Sequence, residues 1–157
     1  MQYLDFENCG DKAAVEAQVR LLAKMGTLTL EQAQMVNCGW IARFFETELG
    51  KKLRGPGQLL REFKFSILDD GENYDPALVE EKILLQGVVD CALVEPDGIT
   101  VVDFKTDYVT EDTVAARTEH YRPQVLAYAD ALRRIYGLPI KAAYLYYFRL
   151  GTSVMLK

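Results

Sequence analysis

Net positive charge is what this sequence lacks: 18 lysines and arginines stand against 23 aspartates and glutamates, leaving −5 at pH 7. A protein that grips a polyanion by bulk charge carries the opposite balance, so composition gives no support for nucleic-acid binding, and any phosphate contact has to be built locally. Histidine is scarce as well, with His120 alone. A Ser/His/Asp or Cys/His nucleophilic system would have to use it, and no G-x-S-x-G elbow accompanies it; a solvated place at the start of a helix is the plainer reading. The three cysteines, Cys9, Cys38 and Cys91, are far apart and odd in number. They exclude a complete disulfide framework, and no C-x-x-C or Cys/His spacing points to zinc or an iron–sulfur cluster; reduced, buried thiols in a cytoplasmic protein are expected. Signal-peptide and transmembrane-length apolar runs are missing, which argues against a membrane partner. Walker A and G-x-G-x-x-G patterns are missing too, so the chain has no ATPase motor of its own.

What is present is one domain's worth of chain, 157 residues, half hydrophobic and a quarter charged, without repeats or an interior boundary. Val15, Val19 and Leu22 give a helix over 11–25. Thr29 and Gln32 fit a capping box for a second helix over about 30–49, with Gly50 as its C-terminal cap. A strand over 61–68 places Phe63, Phe65 and Ile67 on one face and Glu62 and Lys64 on the other. An exposed loop (69–81) and a hairpin follow. Next comes a helix from Glu111 with a break near Thr118, then a last helix over about 121–136 burying Val125, Ala129, Leu132 and Ile135, and a strand over 141–150. This order predicts an α/β (α+β) domain with a mixed central sheet flanked by helices.

The hairpin, from Leu84 to Tyr108, organises the rest. Two apolar strands meet at Glu95-Pro96-Asp97-Gly98. A type I turn there pairs Val94 with Ile99, and counting back sets Asp90 opposite Asp103. Facing carboxylates, with Cβ atoms about 4.5–5.5 Å apart, destabilise a sheet unless a cation compensates, and a divalent metal on oxygen ligands is the simplest one. A three-residue loop with Gly98 as a bulge would slip the pairing and put the aspartates on opposite faces. Lys105 shares the face of Asp103, and Glu62 adds a third carboxylate at a strand position. Hydrolysis of a phosphodiester needs this kit: carboxylates for a hard cation, and a lysine to orient water or to offset developing charge. Asp-x-Lys by itself is ordinarily a solvated pair on an edge strand. The valines before both aspartates (88–89 and 101–102) shift the balance, because charged groups leaving buried strands are seldom left unpaired. Tyr121, Gln124 and Tyr128, at i, i+3 and i+7, share a helix face that could line a polar cleft, although tyrosines so spaced are more often core packing. Lys51, Lys52, Arg54, Arg117, Arg122, Arg133 and Arg134 are basic spots for which surface solvation is the default.

Gly87-Val88-Val89-Asp90, Asp103-Phe104-Lys105-Thr106-Asp107 and Tyr121-Arg122-Pro123-Gln124-x-x-x-Tyr128 resemble the motifs of AddA/RecB-type nuclease domains of helicase–nucleases, in the PD-(D/E)XK superfamily. The likeness extends from about Tyr3 to Gly151 and includes Tyr144–Phe148. It implies a restriction-endonuclease-like core and metal-dependent, exonuclease-type DNA hydrolysis in double-strand-break repair and recombination. Asp90 and Asp103 would bind Mg²⁺ or Mn²⁺ with the Phe104 carbonyl. Glu62 would reach the metal through water, Lys105 would be the catalytic lysine, and Gln124 and Tyr128 would orient the site or the DNA backbone. The implied partners are DNA, the helicase part of the same protein and a second helicase–nuclease subunit, in the cytoplasm of a bacterium. One departure is plain. The family usually carries an upstream G-T-x-x-H segment with a metal-ligating histidine, and this chain begins beyond it, which implies a single nuclease domain (1–157) that is a fragment of a larger protein. Two alternatives remain: a catalytically incompetent nuclease-fold module for DNA or subunit docking, and a small-molecule phosphohydrolase.

Overall fold

Side-chain caps written into the sequence decide where the N-terminal helices begin and end. The computed structural model describes residues 1–73 and 75–157, so Tyr74, inside the expected 69–81 loop, lies outside the described residues. Asp11 accepts the Ala14 N–H at 2.8 Å and opens α1 (Lys12–Lys24), which buries Val15 and Val19. Thr29 and Gln32 form the reciprocal capping box that opens α2 (Leu30–Met35). The single helix expected over 30–49 is instead three pieces, α2, α3 (Cys38–Glu46) and α4 (Glu48–Lys52). Asn37 and Thr47 cause the breaks, because each turns its side-chain oxygen to a backbone N–H three residues on, Trp40 and Gly50 respectively. A capping side chain competes with the helix that would run through it. Gly50 consequently lies inside α4 and not at a helix end.

The sheet has five strands in the order β1-β2-β3-β4-β5. They are β1 (Gln58–Asp70), β2 (Lys82–Glu95), β3 (Gly98–Lys105), β4 (Ile140–Tyr147) and β5 (Thr152–Met155). Neighbours are antiparallel except β3 and β4, which run parallel and are joined through α5 (Val114–Tyr136). The mixed sheet flanked by helices matches the expected class. Val94 does pair with Ile99. The strands exceed expectation: β1 begins at Gln58 and extends to Asp70 into the expected loop, β2 begins at Lys82, and β5 is an additional strand. The strand expected over 141–150 is β4, which stops at Tyr147, three residues short of Leu150.

Nor does α5 break near Thr118. That residue is buried in mid-helix, with its hydroxyl 3.1 Å from the Tyr147 hydroxyl, and the helix also passes through Pro123, which removes one main-chain hydrogen bond without ending it. Ile135, expected inside, is 43% exposed.

Two cores sandwich the sheet. On one face α1, α3 and α4 bury Val15, Phe44, Phe45 and Leu49 against Cys91, Leu93 and Val102. On the other, α5 buries Val125, Ala129 and Leu132 against Val89, Ile99, Val101 and Leu145. All three cysteines are free and buried.

The site is made possible by a fault in the β1–β2 ladder. Pairing runs from Gln58↔Val94 to Arg61↔Cys91 and resumes at Phe63↔Val89 in the same register, leaving out Glu62 and Asp90. Before the gap, Leu59, Cys91 and Leu93 face the α1–α4 core and Leu60 and Ala92 face α5. After it, Phe63, Phe65 and Val89 face α5. Two residues stand between like-facing Leu60 and Phe63, and two between Val89 and Ala92, an even number that strand alternation forbids unless one residue is extra. Both strands carry one, at the same level. Glu62 takes the left-handed conformation, φ 48°, at a strain of about 1 kcal/mol or more for a residue with a Cβ.

Candidate active site

Freed from the ladder, Glu62 and Asp90 border one cavity of about 550 Å³ between the sheet and the helices, together with Trp40, Ile41, Phe104 and Thr106. The Met1 amine is near both carboxylates; burial pushes it below its usual value, while Glu62 and Asp90 pull it back up. The expected Asp90–Asp103 pair is not formed as a ladder pair, since β2–β3 pairing ends one step earlier, at Cys91↔Val102. Asp90 accepts the Phe104 N–H through Oδ2 at 2.8 Å instead. There β2 turns away from β3, and the carboxylate takes the place of a main-chain acceptor for an otherwise orphaned donor.

Asp103 is on the other face of β3. It is 3% exposed, following Ile99 and Val101 of the α5 core. Lys105 lies two residues on, its ammonium 2.6 Å from Asp103 Oδ2 and its side chain 15% exposed. Burial pushes the Asp103 carboxyl above its ordinary value, the Lys105 ammonium opposes this, and the Asp90 charge adds to the rise. The two aspartates thus sense each other across the strand although they do not face one another.

Lys105 has a second neighbour. Its Nζ stands 4.0 Å from the centre of the Tyr121 ring. The Tyr121 hydroxyl donates to Asp107 Oδ2 at 3.3 Å, and Arg117 Nε lies 3.8 Å from the same oxygen. The shared face of Tyr121, Gln124 and Tyr128 is therefore real but divided. Gln124 Nε2 donates to the Tyr128 hydroxyl at 2.9 Å, while the Tyr128 ring rests on Gly87 and Phe65. A Cβ built on Gly87 would lie 2.7 Å from Tyr128 Cε1 and 2.8 Å from Phe65 Cε1. Position 87 lacks a side chain because α5 lays an aromatic ring across it. Tyr121 is the contact to the lysine that sequence reasoning left inside a generic polar face. Its signal was the i, i+3, i+7 spacing, which could not tell which tyrosine meets the ammonium.

Among the basic spots, Arg122 pairs with Glu119, Arg133 with Asp130, Arg134 with Asp69 and Lys51 with Glu48, while Arg54 donates to the Phe45 carbonyl. These cations are committed to neighbours within the chain. His120 is exposed on α5, its ring 5.1 Å from that of Tyr121.

The donors can be tested against a hard cation. Asp90 and Asp103 bring carboxylate oxygens to the two sides of one strand end, and Asp103 Oδ2 is a buried acceptor without a well-formed hydrogen bond, paired with the Lys105 ammonium. Oxygen donors of this kind suit Mg²⁺ or Mn²⁺. The described residues hold no compact group of three carboxylate, histidine or cysteine side chains. A cation here would rest on the two aspartates and main-chain oxygen, with Glu62 farther out. No helix among the described residues is long and apolar enough to cross a membrane.

A family model described as the PD-(D/E)XK nuclease superfamily matches residues 5–154. The chain is 36% identical over 157 residues to an ATP-dependent helicase/nuclease subunit of Alkaliphilus metalliredigens, covering 98% of this chain and 13% of that protein. It is 40% identical over 153 residues to the helicase/nuclease subunit of the same name from Acetivibrio thermocellus, covering 94% and 12%. The Carboxydothermus hydrogenoformans protein of that name is 35% identical over 156 residues, covering 98% and 13%. The chain thus spans about an eighth of the length of these relatives.

Proposed function

Because this chain belongs to the PD-(D/E)XK nuclease superfamily, we propose that it is the DNA-cleaving domain of an ATP-dependent helicase–nuclease, hydrolysing phosphodiester bonds as an Mg²⁺- or Mn²⁺-dependent exonuclease. The observation that carries this reading is the buried Asp103–Lys105 pair at the end of β3, with Asp90 at the adjoining strand fork. A buried ion pair is seldom kept for stability, since apolar side chains of similar volume do as well or better. Asp90, Asp103 and the Phe104 carbonyl would hold the cation, with Glu62 reaching it through water. The cation would supply Lewis acidity and lower the pKa of attacking water. Lys105 offers a positive charge to the scissile phosphate or a hydrogen bond to the incoming water. Gln124 and Tyr128, tied to each other, set the wall of α5 beside which the strand would lie.

The relatives' names join helicase and nuclease in one subunit, which supports a helicase in the same protein; on this reading that helicase, with a second subunit, feeds DNA to this domain in the bacterial cytoplasm during break repair. Residues 1–157 form one nuclease domain of that larger protein.

The test is cleavage of end-labelled single- and double-stranded DNA with Mg²⁺ or Mn²⁺, for wild type and Lys105→Ala. Wild type should cleave and the variant should lose activity by about 10²–10⁴-fold while remaining folded; a fully active variant would sink the assignment. The absence of a compact three-ligand cluster among the described residues favours a second reading, a docking module that binds DNA or a partner chain without turnover. Saturable calorimetric Mg²⁺ binding that disappears in Asp103→Ala would reject it.

A further inference from the structure

Lys105 faces a conflict that its own strand cannot resolve. Its ammonium rests on Asp103 Oδ2, 2.6 Å away, and that buried oxygen is also a donor the proposed cation needs. A dication arriving at Asp103 withdraws the lysine's counter-charge and repels the ammonium, so a lysine held by Asp103 alone would swing away when it is wanted. A second carboxylate in reserve would solve nothing, because it would compete for the metal. The structure supplies a partner that a metal does not bind. The Tyr121 ring lies 4.0 Å below the ammonium, and an aromatic face attracts a cation through its quadrupole while carrying no charge.

We infer that Tyr121 is the positioning residue that keeps the Lys105 ammonium at the strand end when Asp103 is taken up by a divalent cation, an inference that rests on the nuclease reading above. Everything around the ring fixes its place. Its hydroxyl is tethered to Asp107, two residues beyond the lysine, and Arg117 on the preceding turn of α5 stands beside the same carboxylate. The lysine's main chain is fixed as well, paired with Tyr147 and accepting the Phe148 N–H at 3.0 Å. Ring and stem are therefore anchored independently of the Asp103 contact. The ring does the holding and the hydroxyl does the aiming, so the two parts of one side chain are separable by substitution.

The first readout needs no turnover. In NMR spectra the Lys105 ε-methylene protons, identified by their loss in Lys105→Met, should be shifted upfield by the ring in the metal-free protein. They should stay upfield on saturation with Mg²⁺. Tyr121→Phe should preserve the shift and Tyr121→Leu should abolish it. In cleavage assays Tyr121→Leu should lower kcat about tenfold with KM and Mg²⁺ affinity little changed. Tyr121→Phe and Asp107→Asn should lower it by about twofold. If Tyr121→Leu fails to fold, Tyr121→Met serves in its place. Movement of the ε-methylene resonances to ordinary positions on Mg²⁺ addition would overturn the inference, as would undiminished kcat in the Leu or Met variant. A wild type that cleaves no DNA while its Lys105 resonances stay upfield with Mg²⁺ would instead remove the nuclease reading and leave the ring–lysine contact in place.

Discussion

The two faces of the sheet handle ionisable groups in opposite ways. On the α1–α4 face they are kept neutral or near solvent: Cys91 is wholly buried, with its thiol pushed by burial up to about 12, and Glu62 is exposed at the cavity edge. On the α5 face a full ion pair, Asp103–Lys105, is taken into the interior and an aromatic ring is laid over it. On the first face solvation is shared between water and the single Phe104 N–H given to Asp90, and on the second it is replaced by fixed partners. Preorganised charge belongs where charge develops, so on the proposed nuclease reading the chemistry falls on the α5 side of the strand end, with the other side supplying acceptors.

The contrast can be broken deliberately. The largest expected effect is Gly87→Val, which drives a branched side chain into Tyr128 and Phe65 and lifts α5 from the sheet; it should destabilise the fold by about 3 kcal/mol, measured by urea unfolding. Next is a contrast of sign at the ion pair. Lys105→Met alone should lower the melting temperature by several degrees, because it leaves the Asp103 carboxylate buried near Asp90. Asp103→Leu with Lys105→Met together should raise it, about 1 kcal/mol being worth about 2–4 °C. Equal shifts in the same direction would show that the pair is not sheltered as described.

A third test concerns the neutral thiol. The folded Cys91 value lies above the unfolded one, so the unfolded chain loses its proton first and the stability contribution, whole below about 8.5, falls as pH rises toward 12. By pH 10 the loss is roughly 1–2 kcal/mol, and the slope of stability against pH between 9 and 11 should flatten in Cys91→Ala. The smallest effect is expected at Glu62. Glu62→Gly releases the left-handed strain and should leave stability unchanged or raise it by less than about 1 kcal/mol, while Mg²⁺ affinity falls less than in Asp90→Ala.

Much of this was legible in local sequence. Asp11 and Thr29 cap the helices their spacing suggested, the Glu95–Gly98 turn fixed the β2–β3 register, and α5 carries its polar residues on the face foreseen. The misreadings have specific causes. Hydrophobic periodicity across 30–49 outweighed Asn37 and Thr47, whose capping side chains end helices from within. Val88, read as buried because it precedes Asp90, is exposed, since the ladder fault turns the alternation over. That fault depends on two strands at once, which no local pattern reports. The Lys105–Tyr121 contact is equally non-local, joining a strand end to a helix 16 positions away in the chain.

The paired omission of Glu62 and Asp90 from the ladder also bears on how such a site can change over time. Deleting either residue alone would restore alternation in its own strand, so Phe65 and Lys64 would keep their faces, and would leave a one-sided bulge in the partner strand. Deleting both would restore a continuous ribbon, but with the two acidic groups gone. The acidic notch can therefore be lost one strand at a time, by deletion as well as by substitution, without turning the rest of either strand over.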